Sequence, residues 1–228
     1  MIIGFWHQGS GLGNQLFRYI MTRVKALDEG KDFAMIGDFK GTFMDLDRGQ
    51  IITPKFHIEQ PSGKIILDEP LETIDDEFQS EKLWEHRLPE IREWLKVEPI
   101  EVPDNLCIIN IRGGEYKGVT ELELPIEYWK KAKEIMALKH SGIRFKIVTD
   151  DIDYAKRMLP MTPVTHEMGE DWRTIRYAKH LILSNSSFAI LPALLGDAEE
   201  IIAPKFWAGH NIGQWRYPMN EYKRFTYV

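Results

Sequence analysis

The stretch 105–116, NLCIINIRGGEY, constrains the fold more than any other part of the chain. Leu106, Cys107, Ile108, Ile109 and Ile111 make a short, nearly unbroken apolar run rich in β-branched side chains. Such a run suits a strand covered on both faces, the environment of a parallel sheet between helices. The run stops at Arg112, and two glycines follow. A cation therefore stands just past a central strand, where backbone can approach a ligand closely. In open α/β sheets, ligands sit outside the carboxyl ends of the strands. Taken alone, the stretch reads more simply as a strand-end arginine paired with a surface carboxylate.

The rest of the chain alternates in the same way. Ile2–Trp6 reads as an apolar strand, followed by a glycine loop, GSGLGNQ, and a helical pattern in which Leu16, Ile20, Val24 and Leu27 mark one face. Strand, glycine loop and helix open a mononucleotide-binding unit, although the third glycine of a dinucleotide fingerprint and the Lys-Ser or Lys-Thr pair of a P-loop are absent. A tight strand-to-helix turn gives the same letters. Short strands are expected at 33–36, 51–52 and 65–67, separated by Gly-, Pro- and Asp-containing turns. Residues 80–96 are helical in composition and interrupted by Pro89, so two helices or a kink are expected there. Leu88, Ile91, Trp94 and Leu95 form the apolar face of the second piece. Residues 97–104, with Pro99 and Pro103, read as a connector between a domain at 1–98 and one at 99–228.

Beyond the central strand, Pro125 opens a helix whose stripe is Ile126, Trp129, Ala132 and Met136. A strand at 143–148 ends in Thr149-Asp150-Asp151, and a helix follows to about Met158. Asp171 is placed to cap a further helix through Ile175 and Ala178. A buried strand at 181–183 ends in Ser184-Asn185-Ser186-Ser187, ahead of an apolar helix at 188–195 containing Pro192. Ile201-Ile202 is a last short strand. The aromatics of the C-terminal region, Trp207, Trp215, Tyr217 and Tyr222, have no period and are expected to pack across the body of the protein. This alternation implies an α/β fold with parallel sheets and helices on both faces.

Composition narrows the partners. With 29 basic and 35 acidic residues the net charge is −6, which argues against nucleic acid or an anionic membrane as the main partner. A small anion held by a local cluster of donors remains compatible with that average. The lone cysteine, Cys107, lies within an apolar run and reads as a small buried hydrophobe. The first residues are too soon interrupted for a secretory or membrane-spanning segment, and the chain is expected to be soluble and cytoplasmic, with no transmembrane segment.

Polar residues follow immediately on three buried strands: Arg112, then Asp150 and Asp151, then Ser184 to Ser187. A parallel sheet brings all three sets to one edge. Arg112 offers a planar fork of donors to the diphosphate of a nucleotide-sugar. Ser186 and Ser187 stand at a helix N-terminus, where free N–H groups and hydroxyls can cradle phosphate. Asp150 can accept from base N–H groups or ribose hydroxyls, or can simply cap the following helix; Ser186 can cap as well.

Several segments resemble a known family. GLGNQLFRY at 11–19 resembles the signature GLGNQLFQY of α1,2-fucosyltransferases (glycosyltransferase family 11-like). IRGGEY at 111–116 resembles that family's HIRRGDY, and LPIEYWKKA at 124–132 its LP-x-x-YY-x-KA stretch. VTDD at 148–151 and HLILSNSSFAILPALLG at 180–196 resemble its SDD and I-x-SNSTFSWWAAWL segments. The matches fall in the family's order over nearly the whole chain. The resemblance implies a GT-B-type glycosyltransferase, two facing Rossmann-like domains with parallel sheets. The N-terminal domain would be the acceptor side and the C-terminal one would bind the nucleotide-sugar.

It also implies a GDP-sugar donor, GDP-fucose above all, an oligosaccharide or glycan acceptor, no cofactor and no metal ion. The implied substrate-binding residues are Gly11, Gly13, Asn14, Gln15, Asn110, Arg112, Asp150, Asp151, Asn185, Ser186, Ser187 and Phe188. The seven histidines, His7, His57, His86, His140, His166, His180 and His210, are scattered without metal-ligand spacing. This chain departs from the family's pattern at Asn110, which stands for its histidine, at Gly113, which stands for its second arginine, and at Glu115, which stands for its aspartate. Loss of the second arginine removes a charge-assisted bond of about 1.5–3 kcal/mol.

The mechanism these residues suggest is an inverting glycosyl transfer. Arg112 opposes the negative charge gathering on the leaving diphosphate, and a carboxylate, Glu115 or Glu121, takes the acceptor's proton. Two rivals stand beside it: a non-catalytic module that binds a GDP-sugar or glycan, and a Rossmann-type NAD-dependent oxidoreductase using the glycines at 9–13. The acceptor is expected to be chosen by loops within 31–78.

Overall fold

The computed structural model describes residues 1–53, 56–59, 64–67, 72–74, 78–216 and 221–228. Tyr217, and parts of the proposed acceptor loops, lie outside the described residues. The chain divides into two compact units, one of residues 1–78 and 82–95, the other of residues 79–81 and 96–228.

The N-terminal unit is built on β1 (Ile2–Trp6), every residue of which is buried. Gly4 is needed in it, because a Cβ there would lie 2.2 Å from Thr22 Oγ1 of the crossing helix α1 (Leu12–Glu29). Gly30, at φ +61°, ends α1 in a left-handed cap, and Lys31 N–H donates to Ala26 O at 2.8 Å. Leu16, Ile20 and Val24 are buried as expected, but Leu27 is 47% exposed. At this end of the helix it is Ala26, not Leu27, that packs with Ile2 of the strand and Ile74.

β2 (Phe33–Gly37) pairs with β1 in parallel. β3 (Phe56–Glu59) and β4 (Lys64–Leu67) form an antiparallel pair, and β5 (Glu72–Ile74) adds to the other side of β1 in parallel. The described sheet order is β2-β1-β5. No strand forms at 51–52, where Ile51 is fully exposed. Pro89 does not kink a long helix: two 3-10 turns, Glu81–Leu83 and Glu85–Arg87, lead into α2 (Leu88–Trp94), which carries Pro89 in its first turn.

The C-terminal unit holds six described strands, all parallel. They are β6 (Leu106–Ile111), β7 (Arg144–Thr149), β8 (Pro163–Val164), β9 (His180–Leu183), β10 (Glu200–Ala203) and β11 (Phe225–Tyr227). Their order is β11-β10-β9-β6-β7-β8, which puts the NLCIINI run at the centre. Register pairs Ile109 with Ile147 on one side and Ile182 on the other. The intervening helices are α3 (Ile126–Lys139), α4 (Ile152–Met158), α5 (Met168–Tyr177) and α6 (Ser187–Leu195).

Side chains alternate across β6. Cys107, Ile109 and Ile111 join one buried cluster with Trp129, Ala132 and Met136 of α3 and Ala155 of α4. Ile108 and Asn110 therefore face the opposite side, where α5 packs against β6 and against α6. Burial pushes the Cys107 thiol far above its ordinary pKa, so it behaves as the small hydrophobe its setting suggested. The two α/β units with parallel sheets agree with the sequence expectation. β3, β5, β8 and β11 have no counterpart among the strands expected from the sequence: each is two to four residues long.

Candidate functional site

The polar strand ends of the C-terminal unit converge as the parallel sheet requires. Asn110 lies near the end of β6 and Arg112 just past it, Thr149 ends β7 and Asp150 follows it, and Ser186 and Phe188 stand at the start of α6. All line one cavity of about 310 Å³, together with Thr165, His166, Met168 and Asp171. Asn110 reaches it because it is buried on the α5–α6 side of β6, where its Oδ1 accepts from Ser184 Oγ at 2.8 Å.

Arg112 is held by two carboxylates. Its Nη1 lies 2.7 Å from Asp150 Oδ2 and its Nη2 donates to Glu115 Oε1 at 3.2 Å. The guanidinium also lies over the Tyr116 ring, 5.7 Å from its centre. Asp150 is not a helix cap. Its Oδ1 accepts Gly113 N–H at 2.8 Å, so one carboxylate ties the glycine turn and the arginine together. The cap of α4 is Asp151, which accepts Tyr154 N–H at 2.9 Å and pairs with Lys117 Nζ at 2.9 Å. The Lys117 ammonium, helped by the Tyr154 N–H, holds the Asp151 carboxyl below its ordinary pKa.

Ser186 caps α6, its Oγ accepting Phe188 N–H at 3.3 Å, and Ser187 is the first residue of that helix. Phe188 meets Trp172 of α5 edge to face, with ring centres 5.8 Å apart. Asn185 is buried and donates through Nδ2 to Leu122 O at 2.9 Å, which pins the loop after β6 instead of lining the cavity. Glu121 is also outside the cavity lining and pairs with Arg216 at 2.6 Å.

Gly11, Gly13, Asn14 and Gln15 belong to the N-terminal unit. Gly11 is the N-cap of α1, and Gly13 lies buried in its first turn. Gln15 is wholly buried: its Nε2 donates to Asp38 O at 2.9 Å and its Oε1 accepts Lys40 N–H at 3.0 Å. That side chain ties α1 to the loop after β2.

His166 and Asp171 were not singled out as site residues. His166 follows β8, and its Nδ1 lies 2.7 Å from Asp171 Oδ1 while its Nε2 lies 3.4 Å from Glu170 Oε1. Asp171 does not cap α5, which begins at Met168 after Glu167; it sits within the first turn. Burial raises the Asp171 carboxyl above its ordinary pKa, and the His166 contact opposes that rise. The only hint in the sequence was the polar pair Thr165-His166 after Pro163-Val164, and a strand of two residues has no period to detect. Among the described residues, no group of three or more His, Cys, Asp and Glu side chains is placed to hold a metal ion. No described helix is long and apolar enough to cross a membrane.

No protein-family model matches the chain, and no curated protein matches it. Among solved structures, it is similar to a crystal structure of NodZ alpha-1,6-fucosyltransferase co-crystallised with GDP. That match has a TM-score of 0.43 and 12% identity, and covers 89% of this chain and 94% of that one.

Proposed function

We propose that the chain is an inverting glycosyltransferase of GT-B type that uses a GDP-sugar, GDP-fucose first, and transfers its sugar to a glycan hydroxyl. The observation that carries this reading is the shared cavity of Asn110, Arg112, Asp150, Ser186 and Phe188. These residues come from or adjoin three of the five segments that resemble the fucosyltransferase signatures. In this reading residues 99–228 bind the donor and residues 1–98 face the acceptor.

The diphosphate lies between the Arg112 fork and the N-terminus of α6, where the Ser186 hydroxyl and the positive end of the helix favour an anion. From β6 to β8 is two strand spacings, roughly 10 Å, which leaves the nucleoside room to run toward Thr165 and His166. The acceptor oxygen forms its bond to the anomeric carbon as the bond to the diphosphate breaks, and the electron pair leaves with GDP. The acceptor's proton goes to a carboxylate. Glu115 and Glu121 are the candidates, since both lie in the segment that follows Arg112. Arg112 stabilises the charge that develops on the leaving oxygens.

The direct test is Arg112→Ala, assayed for GDP binding and for transfer from GDP-fucose over a panel of glycan acceptors. Loss of one such donor is expected to lower the rate by about 10²–10³. Unchanged binding and turnover would remove the basis of the mechanism. One observation favours the second reading, a binding module without transfer. A Cβ at Gly113 would lie 2.5 Å from Asp151 Cβ, so this backbone has no room for the second arginine. Calorimetry showing that GDP-fucose binds but is neither hydrolysed nor transferred would select that reading.

A further inference from the structure

Two carboxylates sit on the Arg112 guanidinium, and they are held in different ways. Asp150 makes two short contacts, 2.8 Å to Gly113 N–H and 2.7 Å to Arg112 Nη1. The backbone is shaped around it: a Cβ at Gly114 would lie 2.6 Å from Asp150 Oδ2. Glu115 makes one longer contact, 3.2 Å to Arg112 Nη2, and its side chain is 74% exposed against 32% for Asp150. Arg112 and Asp150 line the cavity, and Glu115 does not.

We propose that these carboxylates divide the work of the anion site. Asp150 is the permanent partner that positions the Arg112 fork, and Glu115 is a displaceable counter-ion whose place a phosphate oxygen takes. An exposed monodentate ion pair is weak and screened, so it yields to a phosphate group that can use the fork. Asp150 stays, because leaving would strand the Gly113 N–H as well as the guanidinium. Affinity for phosphate is then set partly by the residue at position 115. The inference rests on the proposed anion site at Arg112, and not on the identity of the base or sugar.

The test is calorimetric titration of the full chain with inorganic pyrophosphate at low ionic strength. Glu115→Gln should tighten binding about two- to fivefold, the equivalent of one exposed ion pair. Asp150→Asn should weaken it, although it also removes a negative charge, because the amide NH₂ would face the guanidinium donors. Asp150→Glu, which keeps the carboxylate, should bind closer to wild type than Asp150→Asn does. Equal tightening by Glu115→Gln and Asp150→Asn overturns the division of roles, and so does an unchanged affinity in Glu115→Gln. Absence of pyrophosphate binding in wild type and Glu115→Gln alike also overturns it. Pyrophosphate carries neither sugar nor base. A pyrophosphate response as expected with no transfer from GDP-fucose would sink the transferase reading alone; transfer with no response to position 115 would sink this inference alone.

Discussion

Single residues shape the proposed anion site. In the proposed site Asp150 fixes the plane of the Arg112 fork, and it reaches Arg112 because residue 114 has no side chain. Gly113→Arg, which would recreate the paired arginines of the family resembled, is expected to destabilise the protein by about 1–3 kcal/mol through overpacking against Asp151 and Tyr154. A urea unfolding midpoint equal to wild type would show that the turn can relax. Tyr128 acts from further away. Its hydroxyl is buried and donates to Leu183 O at 2.5 Å, at the last residue before the Ser184–Ser186 turn. Tyr128→Phe leaves that buried acceptor unsatisfied and should cost about 1–3 kcal/mol in denaturant unfolding.

At the scale of elements, the site is a set of strand ends and helix starts. Asp151 fastens the start of α4 and pairs with Lys117, which also anchors the loop after β6. Asp151→Ala should cost about 0.5–2 kcal/mol from the lost cap, and Asp151→Asn, which keeps an acceptor for Tyr154 N–H, should cost less. Equal losses in the two variants would mean that the Lys117 pair, not the cap, carries the effect. The opposite end of the sheet carries a different feature. His180, the first residue of β9, is buried with its ring centre 4.1 Å from that of His140, at the end of α3. Among the described residues, neither His180 Nδ1 nor His140 Nε2 has a hydrogen-bond partner.

His180 is expected to make stability depend on pH. Burial, then the neighbouring His140, depress the His180 pKa, against the pull of Glu199, Glu200 and Asp104. A histidine with a depressed folded pKa binds its proton more readily when unfolded. Its stabilising contribution is complete above the free imidazole value of about 6.5 and is lost as the pH falls below it. The melting temperature is therefore expected to drop between pH 7.5 and 5, and His180→Leu should flatten that drop. An equally steep profile in the variant would assign acid sensitivity elsewhere. Ligand binding offers the complementary measurement. If GDP binds only the folded chain, saturating GDP should raise the melting temperature more than UDP, ADP or dTDP at the same concentration. An equal rise with all four would mean that the cavity reads phosphate and not base.

The sequence by itself determined the elements that carry strong local patterns: the central strand, the helices with apolar stripes, and the parallel class that follows from their alternation. It also determined that Arg112, Asp150 and Ser186 would reach one edge, because in a parallel sheet strand order cannot change which end a residue occupies. Only tertiary structure decided what each side chain does there. Asp150 and Asp151 are adjacent and chemically identical, yet one holds Arg112 and the other caps α4, since backbone direction at the end of β7 points them apart. Likewise Glu121 is taken by Arg216, 95 positions away, and His166 enters the cavity through a two-residue strand whose pairing is supplied entirely by β7. Periodicity records which face an element buries; it holds no record of which distant partner a polar group meets.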